Sequence, residues 1–206
     1  MKTEVIPAAA YGALENVAAL LKAGQLVVFP TDTLYGVGVS AFEETAIKRL
    51  YEVKERPLSK GIPILLGDTD DVDKVARSFP TIARSLMERF WPGALTIIVP
   101  RRPDLPPSLS PNENIALRIP DSEVARAIIR HAGGAVATTS ANRSGEAPAR
   151  NAQEALSALG GLVAAIVDGG PVAHGVPSTI VDCTTTPPRI LRRGPLSAAD
   201  LSLDRA

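Results

Sequence analysis

The chain has 206 residues with 22 basic and 22 acidic side chains, so its formal charge is zero, and 45% of its residues are hydrophobic. This is the composition of an ordinary folded domain, long enough to bury a core without staples, and its neutral balance argues against a whole surface built for nucleic acid. The lone Cys183 excludes an internal disulfide and fits a reducing cytoplasm, no apolar run reaches the ~18 residues of a membrane span, and the opening MKTEVIPAAAYGALENV carries Glu4 and Glu15 where a signal peptide needs an apolar core.

In chain order, Leu14, Val17, Ala18 and Leu21 recur at helical spacing, with Gly24 placed as a C-cap. QLVVF (25–29) reads as a buried strand and the glycine-punctuated LYGVGVS (34–40) as a second. A helix is expected over 45–53 with Ile47, Leu50 and Tyr51 on one face, stopped by Pro57. IPILL (62–66) is a strand, 80–90 a helix opened by Pro80 and broken by WPG, and ALTIIV (94–99) a strand. Residues 101–113 hold four prolines and read as a connection. NIALRI (114–119), a helix over 122–131, GGAVATT (133–139), a helix over 151–159 opened by Asn151 and Glu154, then AAIVD, STIVDC and RILRR complete the list. Eight or nine strands with five helices, irregularly alternating, predict one domain over 1–206 of α/β or α+β class with a mixed sheet.

Several chemistries are missing. There is no GxxxxGK[ST] loop, no GxGxxG after a strand, no HExxH, no CxxC and no GxSxG. His131 and His174 are the only histidines, too few for most zinc sites, so no metal site of protein side chains is expected. His131 suits a helix end and His174 an exposed glycine loop.

What remains is a set of polar segments at strand ends. Thr31, Asp32, Thr33 and Tyr35 follow the first strand, where hydroxyls either cap the next element or meet a ligand. Lys54, Arg56 and Lys60 surround Pro57. A helix C-terminus favours cations by about 0.3–1 kcal/mol, which accounts for Lys54 but not for Lys60 beyond the break; a triphosphate would use all three. Arg118 lies in an apolar strand, on the face opposite Ile115, Leu117 and Ile119. Its partner is a buried carboxylate such as Asp182, a ligand carboxylate, or solvent. The run 138–145, Ser178-Thr179 and Arg192-Arg193-Gly194 add hydroxyls, an amide and guanidinium groups. The aspartates at 68, 70, 71 and 73 and the basic residues at 48–60 read by default as solvated faces.

Taken in order, PTDTLYG, KERPLSKGIPILL, FWPGALTIIV, ALRIP, TTSANRSGEAP, STIVD and ILRRG resemble the YrdC-like threonylcarbamoyl-AMP synthase family over residues 29–194. The resemblance implies a twisted mixed sheet with packed helices and a positively lined concave surface. It implies an enzyme, a nucleotidyltransferase that converts L-threonine, bicarbonate and ATP, with Mg2+ on the nucleotide, to threonylcarbamoyl-AMP and pyrophosphate. The product serves a partner enzyme that modifies adenosine 37 of tRNA, and tRNA itself is a further candidate partner. Carried over by position, Thr31, Tyr35, Arg118, Thr138 and Ser178 would take threonine. Lys54, Arg56, Lys60, Asn114, Ser140, Asn142, Pro148 and Arg192 would take ATP, with Lys54 and Arg56 as the catalytic pair.

Two departures stand out. Leu65 occupies the position where longer members carry a threonine-site histidine, and the chain resembles the short form, without the further C-terminal domain. Two other functions compete: the carbamoyl-adenylate chemistry of hydrogenase-maturation proteins, and a double-stranded RNA or tRNA binding module. Four Phe, three Tyr and one Trp offer the latter little stacking surface.

Overall fold

The apolar runs meet in one mixed sheet. The computed structural model describes residues 2–203. In chain order it contains β1 (Glu4–Pro7), α1 (Ala13–Lys22), β2 (Val27–Pro30), β3 (Tyr35–Ser40), α2 (Glu44–Lys54), β4 (Ile64–Leu66), α3 (Thr81–Phe90), β5 (Leu95–Pro100), β6 (Asn114–Arg118), α4 (Glu123–His131), β7 (Ala135–Ser140), α5 (Ala152–Leu159), β8 (Ala165–Asp168), β9 (Thr179–Asp182) and β10 (Arg189–Arg192). The strands form a single ten-stranded sheet in the order β1-β8-β2-β3-β7-β4-β6-β5-β9-β10. β1/β8, β2/β8, β4/β6 and β5/β9 run parallel; the other neighbours are antiparallel. The mixed class expected from the sequence is the one observed.

Strand alternation sorts the side chains onto two unequal faces. Val28, Val37, Val39, Ile64, Leu66, Ile97, Val99, Ile115, Leu117 and Val181 point to one face and form the larger core with α2, α3 and α5. The other face carries Val27, Phe29, Leu65, Val136 and Val167, packed with Val17 and Leu21 of α1 and Ile128 and Ile129 of α4. Those two helices pack on the β8, β2, β3 and β7 end. Close packing there needs glycine in β3: a Cβ at Gly38 would stand 2.7 Å from Val136 Cγ1 and 3.2 Å from the Phe29 ring. Over β6, β5 and β9 the same face is left open, and the cavity described below lies on it, reaching Leu65 of β4 at its edge.

Three details go beyond the sequence reading. β1 is a tenth strand; its residues are mostly exposed and carry no alternation, and pairing with β8 alone makes it a strand. The connection 101–113 contains a 3-10 turn at Pro107–Leu109. It is tied down at Ser108, whose N–H and hydroxyl both donate to the Glu44 carboxylate. Half of the acidic cluster is structural: Asp68 receives Arg126 and Arg130 of α4 at 2.7 and 2.6 Å, and Asp71 receives Lys74 at 2.7 Å, while Asp70 and Asp73 are exposed as expected. The Arg130 guanidinium first, and then Arg126, holds the Asp68 carboxyl well below the usual carboxylate range.

Candidate active site

The open half of the sheet forms the floor of a cavity of about 690 Å³. Register explains its layout. Leu65 lies beside Arg118 across β4/β6, Ala116 beside Ile98 across β6/β5, and Ile98 beside Asp182 and Thr96 beside Ile180 across β5/β9. Thr138 and Ser140 of β7 continue the floor on one side and Ser178 with Arg192 on the other. The middle is therefore an apolar shelf of Leu65, Ala116, Ile98 and Ile180, with polar groups around it. The cavity brings together Thr31, Tyr35, Arg56, Asn114, Arg118, Thr138, Ser140, Asn142, Pro148, Ser178 and Arg192. These residues come from widely separated parts of the chain.

Arg118 ends β6 and is 5% exposed. Its Nη2 donates to Asp32 Oδ1 at 2.5 Å, Nη1 to Thr33 Oγ1 at 2.7 Å and Nε to the Gly93 carbonyl at 2.8 Å. The protein partner is thus Asp32 and not Asp182: the polar break after β2 delivers Asp32 to the end of β6, whereas Asp182 lies along the floor and accepts from its neighbour Thr184. A guanidinium carries five N–H donors, so two remain for a ligand. Burial pushes the Arg118 pKa down and Asp32 pushes it back up. Thr31 folds its own turn: Oγ1 donates to the Leu34 carbonyl at 2.7 Å and accepts from the N–H groups of Thr33 and Leu34 at 3.2 Å. The capping role and a place on the cavity wall coexist.

Ser178 and Arg192 close the same end. Arg192 donates through Nε to the Ser178 carbonyl at 2.9 Å and through Nη2 to Ser178 Oγ at 3.0 Å, and Ser178 Oγ shares a hydrogen bond with Thr96 Oγ1 at 2.7 Å. Burial and the nearby Arg118 charge both depress the Arg192 pKa. β10 reaches this position because residue 194 is glycine: a Cβ there would stand 2.5 Å from the Pro177 carbonyl oxygen and 2.6 Å from Ser178 C.

Lys54 and Lys60 do not line the cavity. Lys54 is 2% exposed and lies behind the wall. Its Nζ donates to the Ser140 carbonyl at 2.5 Å, to the Asn142 carbonyl, and to Asn142 Oδ1 at 3.2 Å. It fastens the loop that follows β7 from beneath. Burial, then Arg56, pushes its pKa down to about 8. The exposed Lys60 uses its carbonyl to receive Arg56 Nε at 2.9 Å, while Arg56 Nη2 donates to the Gly61 carbonyl at 2.7 Å. Arg56 is therefore the cation of the KERPLSK run that faces the cavity. Tyr35 lines the cavity, but its hydroxyl donates to the Gly170 carbonyl at 2.7 Å and accepts the Gly169 N–H at 3.2 Å, pinning the glycine-rich loop ahead of Ser178.

Sequence reasoning left out Thr96, Glu146 and the wall from Leu109 to Asn112, which line the cavity together with Thr33, read only as part of the polar break, and Asp182, read only as a partner of Arg118. Thr96 and Asp182 were legible in principle, since each is a polar residue alternating with apolar ones in an otherwise buried strand. No three His, Cys, Asp or Glu side chains gather as metal ligands among the described residues.

The family model Sua5_yciO_yrdC, described as telomere recombination, matches residues 19–194. A Bacillus subtilis (strain 168) protein named threonylcarbamoyl-AMP synthase is 40% identical over 186 residues, 88% of this chain and 53% of its own length. A Mycobacterium tuberculosis (strain CDC 1551 / Oshkosh) protein named putative threonylcarbamoyl-AMP synthase is 42% identical over 178 residues, 86% of this chain and 82% of its own. The crystal structure of Pyrococcus abyssi Sua5 complexed with L-threonine superposes with a TM-score of 0.93 at 31% identity, covering 98% of this chain and 60% of that one. The chain thus spans about half the length of the Bacillus relative and about four-fifths of the mycobacterial one.

Proposed function

The chain belongs to the Sua5_yciO_yrdC family, and from that premise we propose that it makes threonylcarbamoyl-AMP from L-threonine, bicarbonate and ATP. One observation carries the reading: a single cavity gathers Thr31, Arg118, Thr138 and Ser178 with Arg56, Ser140, Asn142 and Arg192. The names of the relatives and the threonine complex of a similar structure support it.

In this proposal the two free N–H donors of Arg118 take the threonine carboxylate, a planar fork on a planar acceptor. Thr31, Thr138 and Ser178 surround the rest of the amino acid. The amine, in its neutral form, adds to the carbon of bicarbonate and loses water, giving a carbamate. A carbamate oxygen then bonds to the α-phosphorus of ATP as the bond to the pyrophosphate oxygen breaks. Phosphoryl chemistry of this kind needs positioning and charge stabilisation more than covalent help, which suits a cavity lined by Arg56 and Arg192 and by no histidine. Magnesium would travel on the triphosphate: the cavity offers only the separate carboxylates Glu146 and Asp182, which fits an ion held by phosphate oxygens and water. The product, a mixed anhydride, calls for an acceptor enzyme, here one that acts on tRNA. The setting would be the cytoplasm.

Pyrophosphate release tests this. It should require threonine and bicarbonate together, and serine or carbamoyl phosphate should not replace them. Arg118→Ala should raise the KM for threonine and Arg56→Ala the KM for ATP. Release that ignores threonine, or that runs on carbamoyl phosphate, defeats the reading.

A further inference from the structure

The Arg118–Asp32 pair bears on how the amino acid is held. Both side chains are nearly sealed from solvent, at 6% and 7% exposure, and their contact is 2.5 Å. An isolated buried guanidinium is costly, and removing one member of a buried pair leaves the other uncompensated. Arg118 lines the cavity and Asp32 does not, so Asp32 sits behind the guanidinium and leaves its ligand side open. The second guanidinium, Arg192, lies close enough for the Arg118 charge to depress its pKa. Among the described residues no carboxylate pairs with Arg192. Among the described residues Asp32 is then the one carboxylate in contact with this cationic corner.

Resting on the proposed threonine site, we infer that Asp32 is the internal counter-anion of Arg118 and sets the amino-acid affinity by competing electrostatically with the substrate carboxylate. It holds the fork in place through Nη2 and at the same time cancels part of its charge. The empty site is stabilised by Asp32, and the occupied site contains two carboxylates around one guanidinium. Like charges that share a site oppose each other. The arrangement keeps the empty protein stable and leaves threonine, and the adenylate built on it, able to depart.

The geometry supplies a clean test. Among the described residues the Asp32 side chain accepts only at Oδ1, from Arg118 Nη2 and from the Asp121 N–H at 3.1 Å. Asparagine at this position keeps both acceptor contacts through its carbonyl and places its NH2 where Oδ2 stands, removing charge and not shape. Asp32→Asn should therefore lower the melting temperature of the empty protein yet enlarge the upward shift that threonine produces. The threonine Kd should fall by about tenfold, a coupling of ordinary size for two interacting sites. Asp32→Ala, which removes the positioning contact as well, should bind threonine more weakly than Asp32→Asn. Titration calorimetry and thermal melts on the whole chain, with threonine as the probe and glycinamide as a carboxylate-free control, read these effects. A merely structural role would lower the melting temperature and leave the threonine-induced shift unchanged or smaller, and that result overturns the inference alone. A wild-type protein that threonine neither stabilises nor binds overturns the threonine site and the inference together.

Discussion

Lys54 separates two accounts of this site. As a phosphate contact it would touch the reacting group; as placed, it is a fastener behind the wall. Replacing it with methionine keeps the length of the stem and deletes the ammonium. The Ser140 carbonyl, the Asn142 carbonyl and Asn142 Oδ1 then lose their donor. Each buried acceptor left without a partner costs about 1–3 kcal/mol, but Ser140 O keeps the Asn142 N–H at 3.0 Å. Removing a charge that burial disfavours returns part of the loss. The balance is a destabilisation of about 1–3 kcal/mol, measured as a shift in the urea midpoint. The larger effect is local. Without its fastener the loop from Ser140 to Pro148 is no longer held at the cavity edge, and the KM for ATP should rise about tenfold while the KM for threonine changes little. If stability and the KM for ATP stay put while kcat collapses, Lys54 acts on the reacting phosphate and the fastening account is wrong.

The same lysine predicts a pH effect with two opposite signs. Its folded-state pKa of about 8 lies below the ordinary value of 10.5. Between those values the unfolded chain binds more protons, so this group's contribution to stability rises with pH across that window. Yet above pH 8 the neutral amine has two hydrogens for three acceptors, so the KM for ATP should climb with an inflection near 8; a profile recorded on Lys54→Met should lack it. Arg101 gives the third prediction. It is 7% exposed, donates to the Leu105 carbonyl at 2.8 Å and to the Pro106 carbonyl at 3.5 Å, and among the described residues has no carboxylate partner and leaves Nε unpaired. Arg101→Met should change stability by less than about 1 kcal/mol, because the lost hydrogen bonds and the relieved buried charge offset each other. Loss of more than ~3 kcal/mol in chemical denaturation would refute that balance.

Much of the fold could be read from periodicity, because its core strands are bounded by proline, glycine or polar turns and its helices carry one apolar face. What could not be read was position across the sheet. β1 has no alternation to find, since an edge strand with both faces largely wet needs none. The pairing of Arg118 with Asp32 depends on β2 and β6 ending near one another, a long-range fact absent from the local pattern; composition alone made Asp182 as good a partner. The site residues were proposed from motif order, and the floor they share follows from register: Ala116, Ile98 and Asp182 form a row that only β6/β5/β9 pairing creates. Local sequence also misjudged Lys54. A cation at a helix C-terminus near a proline turn looks exposed, and the packing of α2 under the loop after β7 buries it instead. In the acidic run at 68–73, Asp68 and Asp71 were misjudged in the same way, as solvated surface, because the arginine partners of Asp68 arrive from α4 more than fifty residues later; Asp70 and Asp73 are exposed, as expected.

The proposed chemistry predicts where the atoms of the product come from. Incubating the protein with threonine, ATP and 13C-bicarbonate and weighing the adenylate by mass spectrometry should give threonylcarbamoyl-AMP carrying one heavy carbon, in amounts equal to the pyrophosphate released. Pyrophosphate without that adenylate, or an adenylate of threonine with no heavy carbon, would contradict it.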